Sequence, residues 1–285
     1  MTRLIARRTV LLGAGQAATF GSLLAALPGI AQAAQAAAAP QKVCLTMLYP
    51  SGEGLSFDAE AFRTRYVAAL QKAYGPAIER VELRVAPPVP PPPPPPPVAE
   101  GEEPPPPPPA PPVPPVLAAV SIWLGDIGEF IKRANESSRA LAAEMATITR
   151  SAPMVQYDVI EGQVGDAASS VIGGGTVVSN YFFAPQGEAA AEAKWDAEYF
   201  GKTYLPKLLE TYGATAIQRA EVARGELAQG GGKPLVLGAI HVYVKDAVAY
   251  DTALSSEAAQ ALGAEAQQHS SVNPVTLLMN VHTTA

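Results

Sequence analysis

The 285-residue chain has few of the residue types from which reactive sites are usually built: one cysteine, three histidines and two tryptophans. A single cysteine excludes an intrachain disulfide. Cys44 lies inside the apolar run VCLTMLY and reads as a small buried hydrophobe. His241, His269 and His282 show no short metal-ligand spacing, so no metal site is expected. No G-x-S-x-G, Walker or dinucleotide motif is present, and no cofactor is expected. The triplets Gly173-Gly174-Gly175 and Gly230-Gly231-Gly232 lack the strand–helix setting of a phosphate loop and read as linkers. Positive charge is also short. The first 36 residues hold Arg3, Arg7 and Arg8 and no acid, and without them 17 basic residues face 26 acidic ones. That balance excludes nucleic acid as an expected partner.

Long apolar runs are confined to the amino end. Three arginines precede VLLGAGQAATFGSLLAALPGI, and AQAAQA follows, with Ala-x-Ala options after Ala33 or Ala36. This is the three-part plan of a secretory signal over residues 1–36. The order ARRTVLL resembles a twin-arginine export signal with Arg7 and Arg8 as the pair. Val10 replaces the favoured Phe and the trailing lysine is missing, which leaves general secretion open beside it. The mature chain is therefore expected in the bacterial periplasm, with no membrane span after cleavage.

What the chain does have is a repeat. The segment FDAEAFRTRYVAALQKAYGPAIERVE (57–82) returns as KWDAEYFGKTYLPKLLETYGATAIQRAE (194–221), and such self-similarity organises a fold. In the first copy strands are expected at 42–50, 77–86, 117–124 and 154–164. Its helices are expected at 58–74, with Asp58 as N-cap, and at 126–148. The second copy repeats the order, with strands at 176–184, 216–223, 235–244 and 273–282 and helices at about 189–212 and 247–267. Asp126 and Asp246 open equivalent helices. A Gly-rich joint at 165–175 separates repeat one (43–164) from repeat two (176–283). The expected class is α+β: two ferredoxin-like β-α-β-β-α-β repeats. Two helices cover one face of each four-stranded sheet and leave the other bare. Apolar residues on the bare faces are expected to meet, sheet to sheet, in an intramolecular barrel.

The strand ends in Tyr-Pro or Ala-Pro, the Phe-Asp or Trp-Asp opening of helix one, its "YG-AI-R-E" exit and the apolar third strand resemble the EthD family of the dimeric α/β-barrel superfamily. The resemblance covers nearly all of the mature chain. It implies a barrel fold and a small apolar or aromatic ligand, with the protein an accessory to that compound's oxidation. The family's helix-one histidine and its following x-Pro fall at Tyr66-Val67-Ala68 and Tyr204-Leu205-Pro206. The histidine is absent from both repeats, so the resemblance leaves catalysis open. Pro206 is expected to kink its helix.

Between strands two and three of repeat one, 20 of the 29 residues from Pro87 to Pro115 are proline, a composition restricted to polyproline II or disorder. Each arm reaches roughly 35 Å at ~3.1 Å per residue. Two readings follow: a tolerated loop expansion, or a stalk through which a non-catalytic barrel meets an envelope or protein partner.

Six residues are candidates for a ligand pocket between sheet and helices. Tyr66 and Tyr204 stand at the histidine positions, where a phenol can donate a hydrogen bond but is a poor general base. His241 in AIHVYV points to the face opposite Ile240 and Val242 and corresponds to Ser121; Trp123 and Tyr243 correspond to each other; Asn180 lies on the fifth strand. Each also has a plain packing role open to it.

Overall fold

The computed structural model describes residues 42–88, 114–166, 175–187, 192–228 and 231–284. The expected export signal with Arg7 and Arg8, and most of the proline run, lie outside the described residues.

Repeat one folds as β1 (Val43–Pro50), α1 (59–74), β2 (Ile78–Val85), β3 (Val116–Leu124), α2 (Ile127–Ile148) and β4 (Met154–Gly165). Repeat two follows the same order with β5 (Gly175–Phe183), α3 (197–216), β6 (Ile217–Ala228), β7 (Val236–Val244), α4 (Ala247–Leu254), α5 (Glu257–Gln268) and β8 (Val275–Thr284). Four aspartates start the helices for one local reason. Asp58, Asp126, Asp196 and Asp246 each accept the backbone N–H three residues on, at 2.9–3.0 Å, satisfying a donor that has no intrahelical partner. The third of these caps explains why α3 begins at Ala197 rather than near residue 189. The helix expected over 247–267 is two helices. Ser255 ends the first, and the Ser256 hydroxyl caps the second at Ala259 N.

Both α1 and α3 contain a π-helical turn, at Phe62–Tyr66 and Phe200–Tyr204. The Val67 N–H reaches back to Phe62 O and the Leu205 N–H to Phe200 O. Repeat one makes this turn with Ala68 where repeat two has Pro206, so the distortion is not owed to the proline. The missing proline N–H merely follows a turn already widened.

The eight strands close into an antiparallel barrel in the order β1-β3-β2-β8-β5-β7-β6-β4. Each repeat contributes a sheet with its fourth strand beside its first, and the two sheets face each other across the barrel. Their edges also join. β2 pairs with β8 from Val81↔Thr284 to Val85↔Asn280, and β4 pairs with β6 from Gln156↔Ala228 to Gly165↔Arg219. Among the described strands no sheet edge is left over, which removes the hazard of an open edge. The second joint also carries β6 past residue 223 to Ala228, because β4 offers it a partner that repeat two alone lacks.

Alternation along the strands sorts the core into three parts. Val81 and Leu83, with Tyr49, Phe62, Tyr66 and Leu70, pack under α1 and α2. Val222 and Val242 pack with Phe200 and Leu208 under the helices of repeat two. The barrel interior is apolar only in part, through residues such as Leu48, Val116, Val177, Leu277 and Met279. Its remainder is charged. Arg84, Glu82, Arg219, Glu221 and Asp158 are all buried there, so the apolar contact expected between the repeats is only part of what fills the interior.

β4 also runs beneath the π-turn of the other repeat. A Cβ on Gly162 would stand 2.5 Å from Gly201 O. Gly162→Ala is therefore expected to lower stability by ~1–3 kcal/mol through overpacking, read as a fall in the denaturant midpoint at unchanged slope.

Candidate functional site

Three environments contain the residues able to act chemically. The first is the barrel interior. The Arg-x-Glu of β2 and that of β6 cross the repeat boundary reciprocally. Arg80 Nη2 lies 3.4 Å from Glu221 Oε2, and Arg219 Nη2 lies 2.7 Å from Glu82 Oε2. The guanidinium of Arg80 sits 3.6 Å over the Trp123 ring, and that of Arg219 sits 3.8 Å over Tyr243, so each charge is also held by a π face. The Tyr243 hydroxyl donates to Glu82 Oε1 at 2.6 Å. Arg84 donates to Ser121 and lies 3.5 Å from Glu82 Oε1. Its Nη1 also lies 2.7 Å from His241 Nδ1 and 2.8 Å from Nε2. A guanidinium only donates, so His241 accepts from it as a neutral imidazole, with Ser179 Oγ 3.0 Å from Nδ1. Burial and then the Arg84 charge hold His241 well below the usual histidine range.

Asp158 stands apart in this interior: among the described residues it has no ion-pair partner, and the Arg84 charge acts on it only as a minor influence beside burial. Gln156 Nε2 donates to it at 2.6 Å and to Val236 O at 3.2 Å, while Gln156 Oε1 accepts from Val236 N at 2.9 Å. Burial pushes the Asp158 carboxyl up to about 7. Burial likewise raises Glu221 and the Cys44 thiol. Cys44 is thus an inert hydrophobe rather than a nucleophile.

The second environment is the helix–sheet space of repeat one. Tyr49, Phe57, Phe62 and Tyr66 form a run of ring contacts with centroids 4.9, 5.7 and 5.1 Å apart. The long helix α2 seals it with Phe130, Ala134, Leu141, Met145 and Ile148. Tyr66 is 0% exposed, and burial raises its phenol far above the ordinary range.

The third is the same space in repeat two, and it is covered less completely: Tyr204 packs against the core cluster there, and burial raises its phenol, but it keeps some exposure. Trp195 stacks on Phe200 at 5.0 Å, and Phe200 meets Tyr204 at 5.5 Å and Tyr199 at 5.3 Å. Of its two covering helices, α4 buries none of its residues, with Val248 77% exposed, and α5 buries only Ala259 and Leu262. Trp195, Tyr204, Tyr212 and Tyr250 are all partly exposed. At the end of this cluster His269 lies flat on Tyr199, with ring centroids 3.4 Å apart and planes 3° apart. Its Nδ1 is 3.1 Å from Asp196 Oδ2. Lys207 Nζ pairs with Glu265 at 2.6 and 2.9 Å beside them. Burial first, then Glu265, pushes the Tyr199 phenol up to about 12.

The six pocket candidates therefore do not share one pocket. His241, Trp123 and Tyr243 line the barrel interior, Tyr66 lies in the sealed space and Tyr204 in the less completely covered one. Asn180 is on the outer sheet face, where its Oδ1 accepts from Thr276 Oγ1 at 2.6 Å. Sequence reasoning passed over Asp196 and His269. The available signal was the Asp of KWDAEYF, but its partner is 73 residues away. Among the described residues no group of three or more His, Cys, Asp or Glu is placed to hold a metal ion. Among them, too, no helix is long and apolar enough to cross a membrane.

No family model matches the chain, and no curated protein matches it. Among solved structures it is similar to an anthrone oxidase-like protein, at 13% identity over 87% of this chain and 94% of that one, with a TM-score of 0.48. It is similar to an EthD-like protein from Ralstonia eutropha, at 19% identity over 41% of this chain and 89% of that one, TM-score 0.29. A proposed monooxygenase from Fusobacterium nucleatum matches at 9% identity over 84% of this chain and 94% of that one, TM-score 0.45. These are likenesses of fold, and the strand order itself establishes the fold as a closed α+β barrel of two ferredoxin-like repeats.

Proposed function

We propose that the chain is an exported protein that binds a small aromatic compound in the helix–sheet space of repeat two. The observation that carries this reading is the asymmetry between the two equivalent tyrosines. Tyr66 is fully buried under a 22-residue helix, whereas Tyr204 remains partly exposed among Trp195, Tyr199 and Phe200 beneath helices that are short and shallowly seated. Repeat one thus spends its aromatic space on packing. Repeat two presents aromatic faces that favour a planar apolar ligand by offset stacking and edge contacts. Export rests on the Arg7-Arg8 pair, the apolar run after it and the Ala-x-Ala options of residues 1–36.

A thermal-shift panel of small phenols and naphthols tests the reading, with Trp195 fluorescence as the local reporter. At a hundredfold excess over Kd a bound compound is expected to add ~2.7 kcal/mol of stability. Tyr204→Ala is expected to weaken binding about tenfold, equivalent to ~1.4 kcal/mol, while Tyr66→Phe leaves it within twofold. A panel without a single shift, or sensitivity at Tyr66 in place of Tyr204, overturns it.

A further inference from the structure

Resting on that reading, we propose that Asp196 and His269 form a proton-accepting dyad that ionises an aromatic hydroxyl of the bound compound. The carboxylate is fixed by its own backbone role. Its Oδ1 accepts from Tyr199 N at 3.0 Å as the cap of α3, which leaves Oδ2 for His269 Nδ1 at 3.1 Å. The imidazole is fixed in turn by that bond and by the Tyr199 ring under it. With Nδ1–H donated to the carboxylate, Nε2 carries the lone pair, and no described residue bonds it. A carboxylate on one imidazole nitrogen sets the tautomer and stabilises the imidazolium once the other nitrogen takes a proton. The His269 side chain is 32% exposed, so a ligand lying on the aromatic cluster can reach it.

The first repeat shows that this contact is not needed for folding. There Asp58 N bonds Ile148 O at 2.9 Å, just as Asp196 N bonds His269 O at 3.0 Å, and Asp58 caps Ala61 as Asp196 caps Tyr199. Ile148 and Ala61 therefore occupy the places of His269 and Tyr199. The same joint between helix end and helix start forms without an imidazole or a phenol. The dyad is an addition, and it stands on the repeat whose aromatic space is less completely covered.

The step is a proton transfer alone. The ligand O–H bond breaks, an N–H bond forms at His269 Nε2, and the electron pair stays on the phenolate oxygen; the imidazolium is balanced by Asp196. Nothing is oxidised. The positive charge beside the phenolate is the His269 imidazolium itself, since Lys207 nearby is already paired with Glu265. His269 would here be the catalytic base and Asp196 a positioning residue.

The probe is 4-nitrophenol, whose phenolate is coloured and whose phenol is not. It is added to the full chain about one pH unit below the probe's own pKa. Binding is measured separately by thermal shift, so that the phenolate band is expressed per bound molecule. Wild type is expected to raise the phenolate fraction about threefold or more over free probe. His269→Gln is expected to return it to the free value. Asp196→Asn, whose amide oxygen can still cap α3, is expected to lower it about threefold through the wrong tautomer. Probe bound to wild type wholly as phenol, or a band unmoved by His269→Gln, overturns the dyad and leaves the binding reading standing. No thermal shift and no Trp195 quenching with the probe or the phenol panel overturns both.

Discussion

Glu82→Ala is expected to lower the unfolding free energy by ~3–5 kcal/mol, the cost of removing one partner from a buried ion cluster. Glu82 is fully buried and is the junction of the barrel interior. It takes the Arg219 guanidinium at 2.7 Å and the Tyr243 hydroxyl at 2.6 Å, and it lies 3.5 Å from Arg84. Without it, Arg84 loses its carboxylate and Arg219 keeps only the more distant field of Glu221. Two guanidiniums would then be buried with one fewer counter-charge, in a place that water does not reach. Glu82→Gln keeps the shape and one acceptor, so its cost should fall between wild type and alanine. Urea unfolding followed by far-ultraviolet dichroism and by tryptophan fluorescence checks both variants. A loss below ~1 kcal/mol for alanine would mean that the interior charges are solvated and do not join the repeats.

Asp158 gives the second large effect, with the opposite chemistry. Its carboxyl is buried, without an ion pair among the described residues, and is pushed up to about 7 in the folded chain, against ~3.9 for an unperturbed aspartate. The folded state therefore binds a proton that the unfolded state releases. Stability from this site is full below about pH 4 and is lost as pH rises through about 7. About three pKa units correspond to ~4 kcal/mol between those limits. Asp158→Asn keeps the acceptor for Gln156 and cannot ionise. It is expected to match wild type near pH 4 and to exceed its stability by up to ~4 kcal/mol at pH 8. Unfolding midpoints across pH 4–8 for the two proteins check this; parallel curves would show that the site is charged and solvated in the folded chain.

Much of the architecture was legible because it is local or repeated. The Phe-Asp and Trp-Asp helix openings, the Asp126 and Asp246 starts and the strand alternation depend on residues within a few positions of one another, and each repeat confirms the other. The Arg-x-Glu of AIERVE and AIQRAE was equally visible, but its meaning was not. Alternation shows that Arg80, Glu82 and Arg84 share a face. It does not show whether that face meets water, apolar side chains or the opposite charges of a second sheet.

The difference between the two helix–sheet spaces was hidden for a related reason. It depends on how deeply α2, α4 and α5 seat, which sums over many weak contacts and on the break at Ser255–Ser256. The meeting of Asp196 with His269 depends on α5 ending where α3 begins, across 73 residues of chain. The sequence by itself determined two β-α-β-β-α-β units and which residues of each strand share a face. Only the tertiary structure decided that the charged faces turn inward and that repeat two is covered less completely. Closing eight strands leaves one enclosed interior, and what occupies it is settled by pairing between residues that no local pattern links.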